Sequence, residues 1–369
     1  MAAVRSALDS EDENAIDFVD NVNKFLGYFG MNGDRADLTQ RAEKAALSVA
    51  VGSQAWYLAR SNGGEQLLQA GQPQRAMRIF QEILVGLGET VSYQRCLTLS
   101  RLGRCWEAMG QPAQAATLYR QTLAELGQLE SSDGVKRQMG ATQTDLADVL
   151  CDVADYGAAR KAYEESLAII EKLDDKRSVG AINAQLGALA MREGNLGEAQ
   201  TRYQSALTTF RTLDEPLVEA GIHYQLGRMH QKSRAWELAE QSYREAARIR
   251  EAQGCISGND GVAMIWNQLA IVRQLSGRPR EAEAWFRKAI EASKSVGDIV
   301  QTSRSLNNLA DLLQTQGDLP EARKLAEESL TLKQTLDPDA AEIWSTYEIL
   351  ADIVTQQGEE AAKAKDYRL

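Results

Sequence analysis

Only two histidines, His223 and His230, and four cysteines, Cys96, Cys105, Cys151 and Cys255, occur in 369 residues. The histidines stand seven positions apart, two turns along one helix face, whereas metal ligation needs closer convergence and further ligands, so no metal site is indicated. The cysteines are widely spaced without a C-x-x-C pair, which argues against a zinc knuckle or a disulfide framework and leaves buried free thiols as the expectation. Proline is nearly as scarce, with six residues, while Ala, Leu, Gln, Glu and Arg dominate, so little interrupts an intrinsic preference for helix. No apolar run of about 18 residues is present, and the opening MAAVRSALDSEDEN turns acidic where a signal peptide would be apolar. A cytoplasmic protein without membrane contact is expected. Positive charge is also in deficit: the net charge is −11 with a pI near 5.0, which opposes nucleic-acid binding driven by Lys and Arg on phosphates.

Chemistry-bearing motifs are missing as well. There is no G-x-x-x-x-G-K-[ST], Gly27, Gly30 and Gly33 have the wrong spacing for a dinucleotide turn, and no G-x-S-x-G elbow occurs. No cofactor and no catalysis are expected. His223, His230 and Cys255 remain as the candidates for a remote alternative, cryptic chemistry in a loop.

Repetition is what the chain has instead. LGRCWEAMGQPAQAATLYRQTL at 102–123, LGALAMREGNLGEAQTRYQSAL at 186–207 and LAIVRQLSGRPREAEAWFRKAI at 269–290 share one pattern: Leu then Gly or Ala, a turn residue, an Ala five later and an aromatic four beyond it. Indexed on the turn, the units centre on Gly33, Gly71, Gly110, Ala154, Gly194, Arg234, Gly277, Gly317 and Gly358, a period close to 40 residues. Such self-similarity marks stacked helical hairpins. Glycine at the turn admits positive φ at a helix C-terminus. Ala76, Ala115, Ala159, Ala199, Ala239, Ala282 and Ala322 supply a small side chain where the second helix crosses its partner, and Phe80, Tyr119, Tyr163, Tyr203, Tyr243 and Phe286 lie one turn further on the same face, filling the wedge between neighbouring hairpins.

This pattern resembles the tetratricopeptide repeat family over roughly residues 15–360, in the longer-helix variety of kinesin light chains and of the C-terminal sensor arrays of bacterial NB-ARC and related signalling NTPases. SLNNLADLLQTQGDLPEARKLAEESLTLKQTL at 305–336 is the nearest stretch. The resemblance implies an all-α fold, a right-handed superhelix of antiparallel helix hairpins. The expected organisation is a flexible terminus over 1–14, a degenerate capping hairpin over 15–47 with Leu38 in the Ala slot and Ala42 in the aromatic slot, seven hairpins over 48–336, and a C-terminal capping hairpin over 337–369. Two inter-repeat loops, 127–137 and 251–262, are longer than the rest and could carry function or be plain solvated insertions.

The resemblance also implies a concave wall built by the first helix of each hairpin, with inward positions 13, 10, 6 and 3 residues before the turn. Projected here, these give partner-binding candidates Arg104, Asp148, Tyr224, Arg228, Asn267, Gln274, Arg304, Asn307 and Asp311. Asn side chains can hydrogen-bond an extended backbone and Arg can grip a carboxylate in bidentate fashion. Mixing Arg with Asp148 and Asp311 departs from the terminal-carboxylate clamp of the chaperone-binding members. The expected function is a protein- or peptide-binding scaffold, the sensor module of a bacterial signalling system that could follow an upstream NTPase or effector domain. The alternative is a peptide-gated regulator whose superhelix changes pitch to release a partner.

Overall fold

The computed structural model describes residues 2–10, 13–254, 261–336 and 343–357, and no strand occurs among them. The chain divides into two compact units, Met1–Ile182 and Asn183–Leu369. The first holds α1 (Ala2–Asp9), α2 (Glu13–Tyr28), α3 (Asn32–Ala45) and a 3-10 turn at Ala46–Ser48. Three hairpins follow: α4 (Gln54–Gln69) with α5 (Pro73–Leu87), α6 (Tyr93–Ala108) with α7 (Pro112–Leu126), and α8 (Asp133–Asp152) with α9 (Tyr156–Glu171). The division falls inside α10 (Lys176–Glu193). The second unit continues with α11 (Leu196–Thr212), α12 (Pro216–Lys232) with α13 (Trp236–Ala252), α14 (Val262–Leu275) with α15 (Pro279–Ser295), α16 (Ile299–Gln316) with α17 (Leu319–Lys333), and α18 (Ile343–Gln356). No helix among the described residues is long and apolar enough to cross a membrane.

Each hairpin reverses in the same way. The residue after the turn donates its N–H to the carbonyl five positions back, as in Gln111 to Trp106 (2.9 Å), Asn195 to Ala190 (2.8 Å) and Asp318 to Leu313 (3.0 Å). This six-residue closure is the Schellman arrangement, and it requires a left-handed residue between. Gly71, Gly110, Gly194, Gly277 and Gly317 fill that place, but Ala154 (φ 59°) and Arg234 (φ 57°) adopt it without being glycine. The next helix then starts immediately, with Asp155, Asn195 or Asp318 capping its N-terminus through the side chain, or with a proline in the first turn as in α5, α7 and α15, while α13 starts after Ala235 with neither.

The signature positions behave as core. All seven alanines from Ala76 to Ala322 are 0% exposed, and the six aromatics are at most 2% exposed. The rings do more than fill a wedge between hairpins. Three of the four tyrosines lie with a ring edge against the glycine seven residues before the turn of their own hairpin: a Cβ built on Gly103 would collide with Tyr119, on Gly187 it would come within 2.9 Å of Tyr203, and on Gly227 within 2.6 Å of Tyr243, whereas the hairpin of Tyr163 has Ala147 there. The Leu-Gly pair of the motif is therefore a seat for the aromatic of the second helix.

Several expectations shift. Residues 2–9, assigned to a flexible terminus, form α1, because Val4, Ala7 and Leu8 make an apolar stripe that joins Ile16, Val19, Leu38 and Ala42. Arg5 fixes it further by donating to Asp34 (2.6 Å) and Asp37 (2.7 Å) on α3. The first turn is at Gly30 (φ 66°), whereas Gly33 lies within α3. Part of the stretch 127–137 is helical: α8 begins at Asp133, its N-cap Ser132 accepting from the Val135 amide (3.3 Å), so residues 133–137 extend a helix and 127–132 form the joint before it. Of the loop at 251–262, residues 255–260 with Cys255 lie outside the described residues, as do Gly358 and the end of the chain. Cys96, Cys105 and Cys151 are buried and form no disulfide with one another, and burial pushes the first two up, Cys96 to about 11 and Cys105 to about 12.

Candidate functional site

The projected binding residues stand on the first helices, Arg104 on α6 and Asp148 on α8 in the first unit, the rest on α12, α14 and α16 in the second. In the first unit they join an acidic network. Arg104 Nη1 pairs with Glu65 (2.8 Å), Tyr119 donates to Glu107 (3.0 Å), and Tyr163 donates to Asp148. Asp145 sits among them, and burial together with the Glu107 and Asp148 charges raises its carboxyl to about 7, against an opposing pull from Arg104.

The second unit has the opposite character. The Tyr224 ring lies 5.6 Å from that of Tyr243, and burial raises its hydroxyl while Arg228 and Arg304 pull it back. Arg228 donates to Gln225 (3.3 Å) and Gln274 to Asp311 (3.3 Å). Asn267 and Asn307, expected to hydrogen-bond an extended peptide backbone, are only 5% and 8% exposed. Asn267 accepts from Asn308 (3.1 Å) and Asn307 donates to Ser345 (3.4 Å), while the Asn307 carbonyl oxygen has no partner. A cleft of about 450 Å³ opens beside Arg228, bounded by Met191 and Arg192 of α10, Gln231 and Lys232 of α12, and Gln268 and Leu275 of α14.

Indexing by the family's inward positions overlooked one column. The residue nine before the turn is polar in every hairpin from Asn62 to Asn308, and it includes Asp145, which interacts electrostatically with Arg104 and Asp148, Gln225, the acceptor of Arg228, and Gln268, which lines the cleft. Unbroken polarity in helices otherwise set into a core was the signal that could have found it.

Ligand atoms of Glu219, His223 and Glu245 lie within 4.8 Å of one another, the arrangement nearest to a metal site. Guanidinium groups already occupy it. Arg211 donates to Glu219 (2.7 Å) and lies 3.1 Å from His223 Nε2, and Arg248 pairs with Glu245 (2.7 Å). Burial and Arg211 lower the His223 pKa, against the pull of Glu219 and Glu245, so the neutral ring serves as acceptor to arginine. The cluster acts as an ion-pair lattice between α11, α12 and α13. His230 is likewise lowered by burial.

The tetratricopeptide repeat family matches residues 138–212 and 261–335. With the hairpins just described, these two segments are tetratricopeptide repeats. No curated protein matches the sequence. Among solved structures, the apo form of RapI is similar at 12% identity with a TM-score of 0.69, covering 96% of each chain. A Rap protein complexed with competence and sporulation factor is similar at 15% identity and a TM-score of 0.57, covering 95% of this chain and 99% of that one. A signal transduction ATPase with numerous domains and a tetratricopeptide repeat sensor, from Pyrococcus horikoshii, is similar at 16% identity and a TM-score of 0.63, covering 90% of this chain and 52% of that one. At these identities the likeness is one of fold.

Proposed function

We propose that the protein is a protein- or peptide-binding scaffold, the recognition module of a bacterial signalling system, and that its ligand lies against the first helices of the second unit. The cleft beside Arg228 carries this reading. It combines apolar ends, Met191 and Leu275, with amide and cationic groups, Gln231, Gln268 and Arg228, the mixture that fixes an extended chain by both its backbone and its side chains. Tyr224, Gln274, Arg304 and Asp311 continue the surface on α12, α14 and α16, with Asn267 and Asn307 supporting it from within. Arg104 and Asp148 are the corresponding candidates of the first unit. Two of the similar folds serve in complexes or sensors by their own descriptions, one holding competence and sporulation factor and one joined to an ATPase. That analogy of fold supports the reading without fixing the ligand. An NTPase or effector domain joined upstream would be the part such a module controls.

The test is capture from extracts of the native host with the wild type and with an Arg228→Ala/Gln231→Ala/Gln268→Ala variant of matched melting profile. A partner held by the wild type and lost by the variant is expected. A partner held equally by both removes the second-unit surface from the proposal.

A further inference from the structure

Comparing the hairpins with one another isolates one hydroxyl that is unlike its counterparts. Tyr119, Tyr163, Tyr203 and Tyr243 occupy the same index, nine residues after the turn, and each directs its hydroxyl toward the first helix of its hairpin. Three of them find an acceptor there: Glu107 for Tyr119 (3.0 Å), Asp148 for Tyr163, and Gln231 for Tyr243 (3.0 Å). Those acceptors sit three or six residues before the turn. In the α10–α11 hairpin the same two positions are Met191 and Ala188, neither of which offers an oxygen. Tyr203, 0% exposed, accordingly has a buried hydroxyl with no partner.

The charges around that hydroxyl are the reverse of those at Tyr119 and Tyr163, and one of them, Arg228, also acts on Tyr243. Acidic groups act on Tyr119 and Tyr163, Asp145 and Glu107 on the one and Asp148 on the other, and reinforce the effect of burial. At Tyr203 burial raises the hydroxyl to about 12, and the charges acting on it are Arg228 and Arg192, which pull it down. Arg228 and Arg192 line the cleft with Met191, and so does Lys232, whose Nζ donates to the Met191 carbonyl (2.8 Å). Arg228 donates to the neutral Gln225, and neither Arg228 nor Lys232 is paired with a carboxylate among the described residues. A buried donor without an acceptor costs free energy that a ligand oxygen can restore. Cations that no carboxylate neutralises favour an anionic oxygen.

We infer that Tyr203, Arg228 and Lys232 form a carboxylate-binding subsite, in which an acidic side chain or the C-terminus of the bound peptide supplies the acceptor that the other hairpins carry themselves. This deepens the peptide-scaffold reading and rests on it. Tyr203 does not itself line the cleft, so the ligand carboxylate reaches its hydroxyl by displacing the Met191 side chain, accepts from it and pairs with Arg228, while Lys232 adds charge from the next turn of α12. Met191 stands in the acceptor's place and lines the cleft, and its unbranched side chain is the adaptable part of the wall. The set differs from a clamp built on first helices alone, because its central donor comes from the second helix.

The repeat supplies its own blocking variant. Met191→Glu installs at this index the acceptor that Glu107 provides in the α6–α7 hairpin, and so is expected to fold. Three fluorescently labelled pentaglycine-based probes separate the carboxylate sources: one with a central Glu and an amidated C-terminus, one with central Gln and an amidated C-terminus, and one all-glycine with a free C-terminus. Fluorescence anisotropy at low salt is expected to show the wild type binding at least one carboxylate probe and binding the Gln probe about tenfold more weakly. Arg228→Gln and Met191→Glu should each abolish that preference, Tyr203→Phe should reduce it several-fold, and Arg280→Gln, an exposed cation elsewhere, should leave it intact. Equal binding of all three probes by the wild type, or a preference that survives Met191→Glu, overturns the subsite. Capture of a native partner lost on Arg228→Ala/Gln231→Ala/Gln268→Ala but retained by Met191→Glu would overturn the subsite and leave the scaffold reading standing. Capture indifferent to both would remove the scaffold reading as well.

Discussion

Glu240 on α13 offers the sharpest perturbation of stability. Its side chain is 8% exposed and holds Arg273 of α14, itself 7% exposed, together with Arg278 (3.1 Å) and Arg244 (2.6 Å). Removing one partner of a buried pair costs about 3–5 kcal/mol because the other charge is left without compensation. Here the loss is partly relieved, since Arg273 also pairs with Glu281, whose side chain is 55% exposed and free to follow it. Arg273 Nε has no partner even in the intact protein, so little slack remains beyond that. Glu240→Ala should therefore cost about 2–3 kcal/mol, below the full penalty of an orphaned buried cation. Glu240→Met/Arg273→Leu, which replaces both charges with apolar groups of similar volume, should recover most of it. Urea unfolding followed by far-UV circular dichroism and by tryptophan fluorescence, with Trp236 and Trp266 on the two helices involved, reads the coupling as a double-mutant cycle. The cost should persist in high salt, because screening acts weakly on buried pairs. A single-variant cost below about 1 kcal/mol, or a double variant no more stable than Glu240→Ala, would refute the claim that this cluster clasps two hairpins together.

Ala154→Gly and Arg234→Gly should each raise stability by about 0.5–1 kcal/mol, since a left-handed non-glycine residue costs about 1–2 kcal/mol and glycine's greater unfolded entropy returns part of that. Thermal melts of the single and paired variants check this. Gly103→Leu should destabilise by about 1–3 kcal/mol through collision with Tyr119, whereas Gly157→Ala, where a Cβ meets nothing within 4 Å, should stabilise its helix by up to about 1 kcal/mol. Asp145, held at about 7 against an ordinary 3.8, keeps a proton in the folded state that the unfolded chain has already released. Stability contributed at this site therefore falls as pH rises from about 4 to about 7, and Asp145→Asn should stabilise the protein more at pH 8 than at pH 4. Denaturation midpoints across that range, unchanged relative to wild type, would contradict it.

The repeat frame was legible because its determinants are local: a turn residue, a small residue five later and an aromatic four beyond recur whatever the neighbours are. The tyrosine seat on Gly103, Gly187 and Gly227 was half legible, since the Leu-Gly pair was visible but not the ring that requires it. The first turn was misplaced to Gly33 because Gly30 and Gly33 are chemically alike, and only helix start and stop distinguish them. The wall was harder to read. Position counting found Arg228 and Tyr224, yet Asn267 and Asn307 turned out to be largely buried, because exposure at an inward position depends on the side chains of the flanking hairpins. Asp145, Gln225 and Gln268 escaped notice because the column they occupy borders the inward positions without belonging to them. The missing partner of Tyr203 is legible only by comparing what each hairpin places opposite its own tyrosine.

The uniform reversal inside each hairpin gives the chain two kinds of joint. Where a first helix meets its second, three or so residues satisfy a closed set of backbone bonds and lead straight into the next helix, so an added residue would break the closure. Where a second helix meets the next first helix, the same closure recurs at α11–α12, Glu215 to Phe210 (3.1 Å) about Asp214, and at α15–α16, Asp298 to Ser293 (2.9 Å) about Gly297, but not at α5–α6 or α7–α8. Growth, insertion of a reporter and division of the chain into halves that reassociate are thus permitted at the open joints α5–α6 and α7–α8 and barred at the closed ones. A break after Leu129, ahead of the Ser132 cap, should leave both flanking hairpins whole, while a break beside Gly110 should dismantle the one it enters.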